Sequence, residues 1–197
     1  TIIDGSPIIN IENKNETITR ADNAIVFFEI NTPKGEIVEA QINHILPNKI
    51  LLRTYDVLEK ENATFNFSFD DNQTILQGVH IFEFNVTNSL NVSEIKIHTI
   101  IIDQEGPSGA IENLVISNGQ VEIQISYQDV GVAPTGVDLV KVDWGNNMTV
   151  NATGLSTLSF EYTKSGVYSI KLIIFDMAGN FVEISAEVQI EIEKNNL

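Results

Sequence analysis

The chain has 197 residues, of which 27 are acidic and 11 basic, so its formal net charge at pH 7 is −16. A charge of this sign repels nucleic-acid phosphates and anionic membranes, which excludes nucleic acid as a partner. The length suits two domains of about 100 residues each. The absence of cysteine excludes disulfides, thiol catalysis and cysteine-ligated zinc.

The first half of the chain is predicted to form short β-strands. Segments rich in Ile, Val, Phe and Thr are separated by turn residues. They are Ala24–Ile30, Glu36–Ile42, Lys49–Tyr55, Thr64–Phe69, Val79–Thr87 and Val92–Ile102. Tyr55–Asn62 is the one helical candidate, and we interpret it as a loop or a single turn because it lacks a second turn of apolar residues.

The second half shows the same succession of short predicted strands and turns. Its predicted strands are Ala110–Ser117, Gln120–Gln128, Val137–Trp144, Met148–Asn151, Leu155–Tyr162, Val167–Phe175 and Phe181–Ile192. Strands at this spacing are typical of β-sandwiches. No apolar run approaches the length of about 18 residues that a membrane-spanning helix needs. The sequence therefore predicts an all-β protein with no membrane span in this segment.

The two halves resemble repeats of one another. Gly78–Val86 carries apolar residues at alternate positions, and Gly166–Ile174 does the same after an equivalent glycine. A polar stretch with Gly and Pro, Asp103–Pro107, separates the halves. We therefore predict two tandem domains, residues 1–103 and 104–197, joined by a short, stiff hinge.

Three motifs of the second half resemble the polycystic-kidney-disease (PKD) type of immunoglobulin-like domain. They are Val142-Asp143-Trp144-Gly145-Asn146-Asn147, the segment Glu161–Tyr168, and the turn Asp176-Met177-Ala178-Gly179-Asn180. The family has Trp where this chain has Val142, and Asp-Gly in place of Asn146-Asn147. The resemblance implies a PKD-like sandwich in the second half, and the first half looks like a divergent immunoglobulin-like domain. Such tandem domains are common in archaeal surface-layer and adhesion proteins and in secreted bacterial hydrolases.

Backbone geometry and packing explain several of these residues without any catalytic role. Gly166 and Gly179 suit tight turns that require a positive φ. Tyr168 is expected to bury its ring and bond its hydroxyl to nearby backbone, as in a tyrosine corner. Trp144 is interpreted as a packing residue of a hairpin, with sugar stacking as the alternative.

Eight Asn-x-Ser/Thr triplets are the strongest functional signal. With 21 Asn and 26 Ser plus Thr in the chain, chance placement predicts roughly three such triplets. We predict N-glycosylation at Asn15, Asn62, Asn66, Asn72, Asn85, Asn91, Asn147 and Asn151. Accidental matches in an Asn-rich sequence are the alternative explanation.

No catalytic constellation is found. His44, His80 and His98 lack the spacing of a zinc site, and His80 is interpreted as a structural residue. No serine-nucleophile elbow, phosphate loop or dinucleotide fingerprint occurs. Calcium is the one cofactor left open. Asp103 and Glu105 at the hinge, with Asp4, Asp129 and Asp176, offer hard oxygen ligands, and ordinary solvated turn carboxylates are the alternative.

These observations favour a non-enzymatic structural module of an extracellular, N-glycosylated surface protein. Sequons without disulfides indicate an archaeal or bacterial cell surface, and the expected partners are neighbouring surface subunits, adjacent domains of the same chain and N-linked glycans. Two alternatives stay open. One is a binding or spacer module of a secreted hydrolase, which an exposed aromatic strip would favour. The other is a filament subunit that donates a strand to its neighbour.

Overall fold

The computed structural model describes residues 5–11, 16–19, 23–57, 62–68 and 77–192, without the side chains of 16–19, 23–27, 52 and 62–68. The chain divides into two compact units, Thr1–Gln104 and Glu105–Leu197. Every regular element in the described ranges is a β-strand, so the chain is all-β as predicted. Within these ranges, no helix is long and apolar enough to cross a membrane.

The first unit contains the strands β1 (Ile8–Ile11), β2 (Glu16–Thr19), β3 (Asn23–Asn31), β4 (Ile37–Ile45), β5 (Leu51–Asp56), β6 (Asn62–Ser68), β7 (Gly78–Asn88) and β8 (Ser93–Ile102). They form a three-stranded sheet in the order β1-β3-β6 and a five-stranded sheet in the order β2-β8-β7-β4-β5. Strand β2 runs parallel to β8, and the other described pairs are antiparallel. This is an immunoglobulin-like β-sandwich.

Strand β7 is the centre of the five-stranded sheet, and its sequence alternates as its two faces require. Every second residue from Gly78 to Asn88 is buried, whereas the residues between them are half-buried or exposed. Phe82 and Phe84 lie at most 1% exposed in the core that β7 shares with Phe28 of the opposite sheet. Burying each such ring contributes about 1.5–3 kcal/mol, so this alternation fixes which face of β7 packs inward.

The second unit contains β9 (Ser108–Ser117), β10 (Gln120–Gln128), β11 (Val137–Asp143), β12 (Thr149–Asn151), β13 (Thr157–Glu161), β14 (Gly166–Asp176) and β15 (Phe181–Ile190). One sheet has the order β13-β10-β9 and the other β12-β11-β14-β15. All the described pairs are antiparallel. This unit is also an immunoglobulin-like sandwich, with three strands packed on four.

Trp144 anchors the core of the second unit. Its side chain is 1% exposed and stacks on Phe160, with ring centroids 5.3 Å apart. Its carbonyl oxygen accepts a 2.6 Å hydrogen bond from the buried hydroxyl of Tyr162. The expectation that Trp144 packs is therefore confirmed. Tyr168 also behaves as expected, since its hydroxyl donates to the Lys164 carbonyl oxygen four residues upstream.

All the predicted strands are present, with ends shifted by at most three residues. Two further strands, β1 and β2, were not predicted. Each has only four residues, which show too little alternation to be distinguished from a loop. Of the predicted loop or single turn Tyr55–Asn62, Tyr55 and Asp56 belong to β5 and Asn62 to β6, and Leu58–Glu61 lies outside the described residues.

Candidate functional site

Two of the glycosylation candidates lie on one hairpin of the second unit. Asn147 occupies the turn between β11 and β12, has φ 68° and is exposed. Asn151 ends β12, where its side-chain oxygen accepts a hydrogen bond from the Thr153 amide. Its side chain is exposed. Both amides therefore face solvent, the environment that a glycan requires.

Two further candidates lie on β7 and on the turn after it. Asn91 is exposed, with φ 59°. Asn85 is half-buried on the outer face of β7, where its Nδ2 donates to Glu83 Oε1 at 2.9 Å. Its cross-strand neighbour is Ile95 of β8, which is 60% exposed.

The remaining four candidates have no described side chains. Asn62 and Asn66 lie on β6, and Asn15 and Asn72 fall outside the described residues. All eight sites thus remain predictions, although each of the four described side chains lies at a turn, a strand end or an outer strand face.

Two of the calcium candidates within the second unit, Asp129 and Asp176, lie close together. Asp129 accepts hydrogen bonds from the amides of Val130 and Gly136. Asp176 accepts two bonds, both 2.8 Å long, from the amide and the Nδ2 of Asn180. One carboxylate oxygen of Asp129 and one of Asp176 lie within 4.8 Å of each other. Two like charges at this distance repel unless a cation or a proton neutralises them.

The two hinge carboxylates have different environments. Asp103, near the end of the first unit, is fully buried. Glu105, at the start of the second unit, is half-buried, and its backbone oxygen accepts a 3.0 Å hydrogen bond from Asn180 Nδ2. Calcium takes roughly six to eight oxygen ligands, which is more than two carboxylates supply. Calcium binding at Asp103 and Glu105 therefore stays a prediction.

The first unit has an amide at the repeat position of Asp176. Asn88 ends β7 as Asp176 ends β14, and both strands have 11 residues. Asn88 is fully buried. Its Nδ2 donates to the carbonyl oxygens of Gly5 at 2.7 Å and Lys34 at 3.3 Å, and its Oδ1 accepts from the amides of Leu90 and Val92. Sequence reasoning treated this position only as part of a turn.

An open surface depression of about 360 Å³ lies on the second unit. Its lining comprises Ser108, Gly109, Ala110, Ser126, Tyr127 and Gln128. The Ser126 hydroxyl donates to a carboxylate oxygen of Glu112. The unit contains no histidine, so no imidazole base is available to activate this hydroxyl as a nucleophile.

Neither protein-family models nor curated protein sequences match the chain. Several solved structures are similar. The PKD1 domain of Vibrio anguillarum Epp is 20% identical, with TM-score 0.39, and the match covers 45% of this chain and 98% of that domain. The fibronectin(III)-like modules of Clostridium thermocellum CbhA are 8% identical, with TM-score 0.49 and coverage of 94% and 95%. Three N-terminal domains of the bacteriophage RB49 outer capsid protein Hoc are 12% identical, with TM-score 0.47 and coverage of 96% and 71%. Similarities at this level carry no argument about function.

Proposed function

We propose that this chain is a non-enzymatic structural module of an N-glycosylated cell-surface protein, such as a surface layer or an adhesion stalk of an archaeon or bacterium. The observation that carries the proposal is the set of eight sequons, against about three expected by chance. The side chains of Asn91, Asn147 and Asn151 are exposed, and Asn85 lies on an outer strand face. None of these four enters a core, which supports acceptor sites over accidental triplets.

On the outer face of β7 and β8, a glycan on Asn85 would have a physical role. Ile95 and Ile97 are 60% and 51% exposed and lie opposite Asn85 and Glu83. Exposed apolar residues on a sheet invite association with other chains. A glycan on Asn85 would cover this strip, because the acceptor amide and Ile95 are direct cross-strand neighbours on the same face.

The test is glycopeptide mapping of protein isolated from the cells that make it. We expect attached hexoses on several acceptor asparagines, Asn147 among them. A matched pair of variants provides the control: Thr149→Ala destroys the Asn147 sequon, whereas Thr149→Ser preserves it. Glycan should disappear from Asn147 only in the alanine variant. An intact mass equal to that of the bare polypeptide would refute the glycoprotein proposal.

One observation favours the second candidate, a binding module of a secreted hydrolase. Leu139, Phe175 and Phe181 form a cross-strand row on the outer face of the second unit, with the two Phe rings 5.7 Å apart. Phe181 is 59% exposed, and aromatic faces can stack on sugar rings. Co-sedimentation with insoluble polysaccharides checks this candidate. Binding that is lost in Phe181→Ala and kept in Met177→Ala, an exposed neighbour, would replace the structural proposal.

A further inference from the structure

The chain has three histidines, and all three lie in the core of the first unit. His44 is on β4, His80 on β7 and His98 on β8, and each is 0% exposed. These strands are adjacent in the five-stranded sheet. A histidine with an ordinary pKa gains a positive charge as the pH falls below about 6.5. All three imidazoles of this chain are buried in the sheet, where a positive charge is most costly.

The rings of His44 and His80 are in contact, and the strand register places His98 on the other side of Phe82. His44 Nε2 and His80 Nδ1 are 3.0 Å apart, a hydrogen bond between two ring nitrogens. His44 stacks on Phe82 with centroids 4.5 Å apart and planes 5° from parallel. Phe82 pairs with His44 on one side and with His98 on the other. The layer thus runs His44–Phe82–His98 across three strands, with His80 bonded to its first member.

The bond between His44 and His80 requires at least one neutral ring. A neutral imidazole has one donor and one acceptor nitrogen, whereas a protonated ring has two donors. The His44–His80 bond needs an acceptor on one side, so it is lost when both rings are protonated. Burial, followed by the charges of His80 and Arg53, lowers the pKa of His44 to about 4.

Two basic residues lie near the histidines among the residues that the structure describes in the first unit. Arg53 of β5 pairs with His44, and Tyr55 lies two residues further on the same face of that strand. Lys96 of β8 is two residues from His98, and its Nζ donates to the Ile9 carbonyl oxygen at 3.0 Å. Glu94, two residues further still, is exposed. On the opposite sheet, the described core residues are apolar: Ile9, Phe28 and Ile30.

We propose that the buried layer of His44, His80 and His98 is an acid-sensitive switch, which holds the first unit folded while its rings are neutral and opens that unit when they become protonated. The second unit has no histidine, so it lacks this source of acid sensitivity. The switch makes one of two tandem sandwiches selectively labile in an acidified environment.

The sign and size of the effect follow from linkage. The folded-state pKa of His44 is about 4, below the ordinary histidine value of 6.5. The unfolded chain therefore binds this proton first, and stability that is complete above pH 6.5 is lost progressively as the pH falls toward 4. This residue alone lowers the folding equilibrium constant of the first unit about 100-fold between pH 7 and pH 4.

The experiment is urea unfolding of the full chain at pH 7.0, 6.0, 5.0 and 4.5, with resolved backbone amide signals from each unit followed by NMR. Fluorescence of Trp144, the single tryptophan, reports the second unit independently. We expect the urea midpoint of the first unit to fall steadily below pH 6.5, while that of the second unit changes far less. Equal pH dependence of the two midpoints would overturn the proposal.

Variants separate the switch from other acid effects. His44→Phe keeps a ring stacked on Phe82, and His80→Tyr places in β7 the residue that β14 has as Tyr168. Either variant should reduce the pH dependence of the first unit's midpoint, whatever its absolute stability. A full wild-type dependence in a folded His44→Phe variant would refute the role of the layer.

A measurement on the wild-type chain covers the case in which both variants fail to fold. The carbon-bound ring protons of His44 should not titrate in the folded chain between pH 7 and pH 5. An ordinary titration near pH 6.5 without loss of folded signals would also refute the proposal.

Discussion

Asn88→Asp tests how the buried end of β7 is held. The substitution replaces the Nδ2 amide by an oxygen of almost the same size, so packing is preserved and only hydrogen bonding and charge change. The wild-type Nδ2 lies 2.7 Å from the Gly5 carbonyl oxygen and 3.3 Å from that of Lys34. In the variant, a carboxylate oxygen faces these two acceptors in a fully buried site.

The magnitude follows from those contacts. Loss of a buried donor leaves its acceptors unsatisfied, which costs about 1–3 kcal/mol. The amides of Leu90 and Val92 partly compensate the new charge, so it adds less than the roughly 3–5 kcal/mol of an unpaired buried charge. We therefore expect Asn88→Asp to lower the free energy of unfolding of the first unit by about 3 kcal/mol at pH 7. The cost should shrink at acidic pH, because a protonated carboxyl group can again donate to the Gly5 oxygen.

The assay is urea unfolding of wild-type and variant chains at each pH, with NMR signals of the first unit. Asn48→Asp is the matched control. Asn48 is exposed, and its Oδ1 accepts from the Ile50 amide, a bond that a carboxylate retains. We expect the control to change stability by under about 0.5 kcal/mol. If Asn88→Asp were as mild as Asn48→Asp, or grew worse relative to wild type at acidic pH, the reasoning would be wrong.

Two paired substitutions test the second unit. Tyr162→Phe removes a buried hydroxyl that donates to the Trp144 carbonyl oxygen, so it should lower the free energy of unfolding by about 1–3 kcal/mol. Tyr168→Phe removes a more exposed hydrogen bond and should lower it by under about 1 kcal/mol in the same denaturation experiment. Equal losses would contradict the assignment of burial. Gly145→Ala places a methyl group 2.5 Å from the Ser169 carbonyl oxygen at φ 75°, whereas Gly154→Ala at φ 80° meets nothing within 4 Å. Both alanine variants carry the strain of a positive φ, about 1–2 kcal/mol. Thermal unfolding should show a further loss of stability for the Gly145 variant, because its new methyl group clashes with backbone. A Gly145 variant as stable as the Gly154 variant would refute that clash.

The strand pattern and the faces of the strands could be predicted from the sequence. Alternation of apolar and polar residues is local, because successive side chains of a strand point to opposite faces. In β7, Phe82 and Phe84 are buried and Glu83 and Asn85 half-buried, as the predicted alternation of apolar residues in Gly78–Val86 requires. The positive φ of Gly179, 86°, and the hydroxyl bond of Tyr168 were also predictable, since both depend on neighbours a few residues away in the chain. The same prediction for Gly166 is wrong, because this residue begins strand β14 and has no positive φ.

Which strands pair, and what meets across them, was decided by tertiary structure alone. His44 and His98 are separated by 54 positions in the sequence and meet on either side of Phe82. Asn88 bonds to Gly5 across 83 positions. Alternation shows the face on which a residue lies but does not identify the partner strand or its register. Those are chosen by the packing of the whole core, which is why the buried histidine layer and the Asn88 contacts emerged only from the folded chain.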